Sequence, residues 1–306
     1  MAFAYSCDNK RYHTLSYYNR QHYGVKVLKA GLDAGLTCPN RDGTCGYGGC
    51  IYCEGNSFSF APPGSITQQL TAERERIRRK YPTALLNAYF QNGTNTYGPA
   101  DRLKELWREA LAVPEVVAVS VATRADCLQP EILDALSWLD RQTHLTVELG
   151  LQTVHDETAR RINRGHDFSA FLQGYERLRS LGIRTCVHLI NGLPGETEEN
   201  MLESARILGQ LRPGGVKLHL LYVTMETMLE TIWRQGAYKP MEKQDYIRIT
   251  AEQLRFFPPE TVIERLTGDG DKTRLLAPEW STDKISILGG IDRYMAQHDI
   301  LQGDLL

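Results

Sequence analysis

Across 306 residues there is no run of about 18 apolar side chains, the length that a membrane-spanning helix needs. The start, Met1-Ala-Phe-Ala-Tyr-Ser-Cys-Asp, has neither the basic opening nor the apolar stretch of a secretory signal, so a cytoplasmic location is expected. No segment repeats and none is of low complexity, which excludes stacked-repeat architectures. Charge of one sign is also missing: 35 Lys and Arg against 37 Asp and Glu leave a formal net charge of −2 and no overall attraction to polyanions. The cysteines number seven, and an odd count without an export signal argues against a disulfide framework, because reducing compartments keep thiols open. What is there is globular in composition, 42% hydrophobic and 24% charged, with core enough for one large α/β domain or two ordinary ones.

The apolar pattern alternates between short strand-like runs and longer amphipathic stretches. Strands are expected at Val25–Leu28, Leu85–Phe90, Val116–Val121, Leu145–Leu151, Thr185–Ile190 and Val216–Val223. Helices are expected at Thr67–Lys80, Ala100–Leu111, Pro130–Trp138, Asp156–Ile162, Phe168–Leu181 and Glu198–Leu211. Repeated strand–helix units require a parallel sheet with right-handed crossovers. Six units fall short of the eight that close a full barrel, so a partial barrel and an open doubly wound sheet both fit. Either way ligands gather beyond the C-terminal ends of the strands. Three regions are expected: an N-terminal extension over 1–22, a core over 23–260, and a small C-terminal extension over 261–306 packed on that core.

Four cysteines crowd into "TCPNRDGTCGYGGCIYC", Thr37 to Cys53, spaced Cys38-x6-Cys45-x4-Cys50-x2-Cys53 among four glycines. A closed zinc site normally uses two well-separated knuckles, and here only Cys50 and Cys53 form a C-x2-C pair. A thioredoxin-like pair should open a helix, which the preceding glycines disfavour. An iron–sulfur cluster is the remaining reading, and three thiolates, such as Cys38, Cys50 and Cys53, would leave one iron open.

Here the sequence resembles a known family. The run from Thr37 to Cys53, with Tyr52 just before the last cysteine, is similar to the cysteine motif of the radical S-adenosylmethionine (SAM) superfamily, and within it the elongator-like branch and the bacterial YhcC/YtqA-type family. "YFQNGTNTY" (Tyr89–Tyr97), "TRADCL" (Thr123–Leu128), "ELGLQT" (Glu148–Thr153), "INRGHDF" (Ile162–Phe168), "HLINGLPGET" (His188–Thr197), "VKLHLLYV" (Val216–Val223) and "RLTGDG" (Arg265–Gly270) also resemble its blocks, so the likeness spans nearly the whole chain. It implies a partial (β/α)6 TIM-like barrel and a [4Fe–4S] cluster on Cys38, Cys50 and Cys53. It also implies SAM chelated to the open iron and cleaved by one electron to a 5′-deoxyadenosyl radical. Cys45 matches no required ligand.

The resemblance also implies contacts to SAM. Gln91 and Asn92 stand where relatives receive the methionine amine, and Arg164 where they pair with its carboxylate, with Arg161 as rival. Glu148 and Gln152 follow from strand alternation, with an inward Glu needing a partner. His188 is read as a ribose-binding group and Asn191 as a further cofactor contact, although alternation points them to opposite faces, and Gly192–Gly195 as a close backbone approach to adenine. Tyr52 is expected to meet adenine through its main chain, Tyr222 to lie near it, and Arg124 to face SAM or substrate. No residue is singled out as catalytic.

Members of the elongator-like branch modify wobble uridines, which makes tRNA the expected substrate, with an electron donor such as flavodoxin or ferredoxin. Lys10, Arg11, Arg20, Lys26 and Lys29, interleaved with Tyr5, Tyr12, Tyr17, Tyr18 and Tyr23, are expected to contact phosphates and stack on bases. The second basic run, Arg74 to Lys80, carries Glu73 and Glu75 and reads as a solvated helix face. A small-molecule or protein substrate is the first alternative; a non-enzymatic four-cysteine zinc module that binds nucleic acid is the second.

Overall fold

A computed structural model describes Phe3 and residues 9–54, 63–268 and 272–306; Tyr5, Cys7, Asp269 and Gly270 lie outside the described residues. The chain opens with helix α1 (Leu15–Tyr23), which the sequence reading leaves as an extension. Strands β1 (Val27–Leu32), β2 (Leu85–Phe90), β3 (Val116–Thr123), β4 (His144–Gln152), β5 (Thr185–Asn191) and β6 (Gly215–Leu220) then alternate with α2 (Ile66–Arg78), α3 (Ala100–Leu111), α4 (Pro130–Asp140), the pair α5 (Asp156–Arg161) and α6 (Phe168–Ser180), and α7 (Glu198–Leu211). After β6 come β7 (Val223–Thr224), α8 (Met228–Arg234), α9 (Lys243–Leu254), β8 (Val262–Arg265), β9 (Leu275–Ala277) and α10 (Lys284–Gln297).

Local chemistry accounts for the boundaries. Ser65 and Gln68 cap α2 reciprocally, Thr197 and Asn200 do the same for α7, and Pro130 occupies the first turn of α4. Helix α3 buries Leu103, Leu106, Trp107 and Ala110, one stripe at helical spacing, in the core outside the sheet. The expected first strand, Val25–Leu28, stops short because Lys29 and Gly31 interrupt its apolar run, yet both belong to β1.

Seven strands pair in parallel in the order β1-β2-β3-β4-β5-β6-β8, a curled half-barrel with helices outside it. Thr261–Leu266, read as part of an extension packed on the core, supplies the seventh strand; four residues carrying Glu264 and Arg265 look like surface in sequence. The two edges of the sheet approach each other, since Lys29 on β1 donates to Glu264 on β8 at 2.7 Å. The free edge of β8 is also occupied: the Ile263 N–H donates to the His13 carbonyl at 2.8 Å, and Thr14 pairs with Ile263. Helix α1 follows directly and packs on both β1 and β8, across the N-terminal end of the barrel. Among the described residues no helix is long and apolar enough to cross a membrane.

Candidate active site

The cysteine run leaves β1 at the C-terminal end of the sheet and is stitched down by backbone and asparagine contacts. Thr94 after β2 donates its N–H to the Thr37 carbonyl at 3.0 Å. Gly93, at φ +73°, makes that approach possible, because a Cβ there would stand 2.3 Å from the Leu36 carbonyl oxygen. On the other side Asn163 donates to the Gly49 carbonyl at 2.7 Å, Asn40 donates to the Asn163 carbonyl at 2.6 Å, and Ile51 N–H donates to the Ile162 carbonyl at 3.0 Å. The loop is thereby fastened between β2 and the "INRGH" turn. Asn40 and Asn163 are missed by the sequence reading; their place inside two quoted motifs was the available signal.

The loop forms part of a cavity of about 610 Å³ at the mouth of the barrel. Cys38, Cys50 and Cys53 line it, together with Tyr52, Gln91, Asn92, Arg124, Glu148, Gln152, Arg164, His188 and Tyr222. Asn191 is not brought there. Its side chain points outward from β5 and exchanges amide hydrogen bonds with Gln253 of α9 at 2.8 and 2.9 Å, as strand alternation against His188 requires. Gly192–Gly195 also turns away: a Cβ on Gly192 would strike Met241, and one on Gly195 would strike Arg161. Arg161 itself is on the surface, bonded to Glu157 and the Pro194 carbonyl. Cys45 is exposed and lies beside Arg124, whose Nη2 donates toward its sulfur at 3.6 Å.

The polar groups of the mouth differ in how far they are already engaged. Arg164 is 5% exposed and donates through Nη2 to the Gly150 carbonyl, while its Nε has no partner. The absence of a side chain at Gly150 keeps that space open, since a Cβ would stand 3.0 Å from the guanidinium. The Asn40 carbonyl oxygen is likewise buried without a partner. Arg124 is fully committed, with Nε and Nη2 on Asp126 at 2.9 and 2.7 Å and Nη1 on the Arg164 carbonyl at 2.8 Å. A hydrogen bond from the Cys53 thiol, aided by the nearby Arg164 charge and opposed by burial, lowers Cys50 below the ordinary thiol range. Among the described residues no three Cys, His, Asp or Glu side chains gather closely enough for one metal ion. The three thiols border a space rather than converge on a point. Thiols on the cavity wall and a buried guanidinium with an unused donor fit a thiolate-bound cluster and a carboxylate-bearing ligand beside it.

Beneath the mouth lies a floor of buried charge that the sequence reading largely missed. Glu148 accepts from Lys29 at one oxygen and from Lys217, the Tyr89 hydroxyl (2.7 Å) and His188 Nε2 (2.8 Å) at the other. Burial drives its carboxyl upward, but the Lys217 and Lys29 charges and the His188 bond outweigh it and hold it well below the usual range. Glu264 is balanced in the same way by Lys29 and Arg184 and falls to about 2. His188, lowered by burial first and then by Lys217, sits at about 4 and is neutral. The His219 ring lies tilted beside it, 5.2 Å between centroids, and is also pushed down by burial. Lys29 and Lys217 stand in largely apolar strands, and an inward lysine facing an inward glutamate was the signal that could have found them.

A parallel half-barrel with a cysteine loop at its mouth defines the class, and the comparisons agree with it. Residues 41–208 match the Radical SAM superfamily and residues 213–297 the Radical_SAM C-terminal domain, so the chain belongs to the radical SAM superfamily. It is 42% identical to "Uncharacterized protein YtqA" of Bacillus subtilis, over 98% of this chain and 94% of that one. It is 35% identical to "Protein YhcC" of Escherichia coli, over 94% and 92%. The archaeal Elp3 of Methanocaldococcus infernus shares the fold, with a TM-score of 0.68 at 18% identity, covering 90% of this chain and 63% of that longer one. The protein is therefore a radical SAM enzyme whose cofactors are a [4Fe–4S] cluster and SAM, and the reading as a zinc module falls away.

Proposed function

We infer that this enzyme modifies the C5 side chain of wobble uridines in tRNA. The observation that carries the cofactor half of the reading is the meeting, in one cavity, of three thiols from a single loop with Arg164 and its unused Nε. In this reading Cys38, Cys50 and Cys53 hold the cluster, and the absent fourth thiolate leaves an iron for SAM. Arg164 takes the SAM carboxylate, Gln91 and Asn92 receive its amine, and Gln152 lies along it. The Tyr52 main chain and Tyr222 flank the adenine. Glu148, with both oxygens engaged, and His188, bonded to it, support the cavity from below. Bound there, the cofactors supply one-electron cleavage of SAM and hydrogen abstraction from a substrate; the chain's residues position them and shield them from water.

The substrate half rests on the resemblance to the elongator-like branch. Tyr18 and Tyr23 lend it no support, because both are spent at the opposite end of the barrel. A cytoplasmic flavodoxin or ferredoxin supplies the electron.

Anaerobic reconstitution tests the cofactor half. Iron and sulfide should be incorporated, and reductant plus SAM should release 5′-deoxyadenosine; zinc uptake with no such product sinks it. Cys45→Ser should keep full iron content and Cys50→Ser should lose it, so iron loss in the Cys45 variant refutes the ligand choice. Comparing tRNA nucleosides from cells with and without the gene tests the substrate. A C5-substituted uridine should change, and an unchanged profile would assign the enzyme to a small-molecule or protein substrate.

A further inference from the structure

Asp33 is the first residue past β1 and stands on the wall of the mouth cavity beside Gln91 and Asn92. It lies outside every block that resembles the family, and the cofactor reading gives it no part. Its backbone is gripped on both sides by one buried amide. The Asp33 N–H donates to Gln69 Oε1 at 2.8 Å, and Gln69 Nε2 donates back to the Asp33 carbonyl at 2.8 Å. Gln69 is 3% exposed within α2, so the place from which the Asp33 side chain starts is fixed.

Both oxygens of that side chain are used. Oδ1 accepts the Gly35 N–H at 2.8 Å, a turn that an aspartate makes on its own. Oδ2 accepts Asn92 Nδ2 at 2.7 Å, across 59 positions. A carboxylate has no hydrogen to give, so this bond settles which way round the Asn92 amide lies: nitrogen to Asp33, carbonyl oxygen away from it. Without such a partner the two orientations of an asparagine amide are nearly alike in shape. An amino group whose lone pair is taken by a proton or a metal offers only hydrogens, and of the Asn92 side chain only the carbonyl oxygen can receive them. Arg164, with its unused Nε, lines the same cavity. Acceptor and donor thus share one space, as a ligand with an amino and a carboxylate group requires.

We propose that Asp33 is a positioning residue for SAM: by holding the Asn92 nitrogen it presents the Asn92 carbonyl oxygen to the SAM amino group. Its charge also strengthens that acceptor, since hydrogen bonds in series polarise one another. This rests on the pose in which Gln91 and Asn92 receive the amine, and adds a residue that the pose alone does not require. Asp33→Asn inverts the arrangement by one atom. The new amide can donate to Asn92 Oδ1, which turns the Asn92 nitrogen toward the ligand, where donor faces donor.

The test is calorimetric titration of the reconstituted, unreduced enzyme with SAM and with its analogue lacking the α-amino group. Wild type gives the reference preference, the ratio of the two dissociation constants. Asp33→Asn should raise the SAM dissociation constant about tenfold and leave that of the analogue within about twofold, so the preference falls. Asn92→Ala should lower the preference by a similar factor, and adding Asp33→Asn to it should lower it by less than about twofold more, because the aspartate then has nothing to orient. Iron content should match wild type in every variant. An unchanged preference in Asn92→Ala would remove the amine from Asn92 and sink the pose and the proposal together. A fall in Asn92→Ala with none in Asp33→Asn overturns the assignment of Asp33 alone. So does loss of iron in Asp33→Asn, which would make the residue a strut of the cysteine loop.

Discussion

At the mouth of the barrel Arg164 keeps its Nε free of partners, whereas one layer below Glu148 accepts from four donors. Both groups are buried, and both face the same cavity. The mouth keeps donors in reserve for a ligand, and the cost of that is borne as an unsatisfied guanidinium. The floor spends its charges on one another, in pairs whose desolvation penalty leaves little net stabilisation but whose disruption strands a charge in the interior. Reserve marks a place for a ligand; saturation marks structure. By that measure Glu148, which the family resemblance suggests as a SAM contact, is taken up by partners within the chain, and Arg164 is the one of the two with a donor to spare.

The sharpest way to break this comparison is to remove the hub of the floor. Glu148→Gln keeps the shape but leaves Lys217 and Lys29 with one carboxylate between them, and should cost about 3–5 kcal/mol of stability in urea unfolding of the apoprotein. A loss below about 1 kcal/mol would mean that the floor is not the structural element described. Next in size is the response to acid. The folded His188 sits at about 4 against an ordinary 6.5, so the unfolded chain binds the extra proton between these values. Its contribution is full above about pH 6.5 and is lost as pH falls toward 4, about 2 kcal/mol between pH 7.5 and 5. Urea unfolding across that range should show the slope, and His188→Asn should flatten it; an unchanged slope would assign the acid response to other groups. The gentlest probe is at the mouth. Arg164→Lys should leave stability within about 1 kcal/mol yet raise the SAM dissociation constant of the reconstituted enzyme about 10- to 100-fold, because a single ammonium cannot replace the two-pronged guanidinium. Unimpaired SAM binding would place the carboxylate elsewhere.

Much of this was legible in sequence where the signal is local. Leu85–Phe90 has the bounds of β2, and the cysteine run drew attention by its spacing, although its reading as a cluster loop rested on the family resemblance. Inward Glu148 was legible as a residue in need of a partner. Its partners were not, because Lys29 and Lys217 lie 119 and 69 positions away and only the curl of the sheet brings them in. Asn191 shows the reverse case, where plain strand alternation outperforms analogy: the residue faces α9, as its parity with His188 requires. Tyr18 and Tyr23 sit elsewhere than expected, for a physical reason. An aromatic, basic segment looks alike whether it covers RNA or plugs a barrel, and here Tyr18 accepts an Arg184 guanidinium on its ring face at 4.9 Å and bonds His144 at 3.0 Å.

The ion pair between Lys29 and Glu264 also has a meaning in time. Its partners are 235 positions apart, so on a ribosome the lysine is made long before the glutamate that neutralises it. Until β8 emerges, β6 presents a bare strand edge and Arg184 lacks its counter-ion. Closure thus waits for β8, and a chain stalled before residue 262 offers an open sheet to chaperones or to its neighbours.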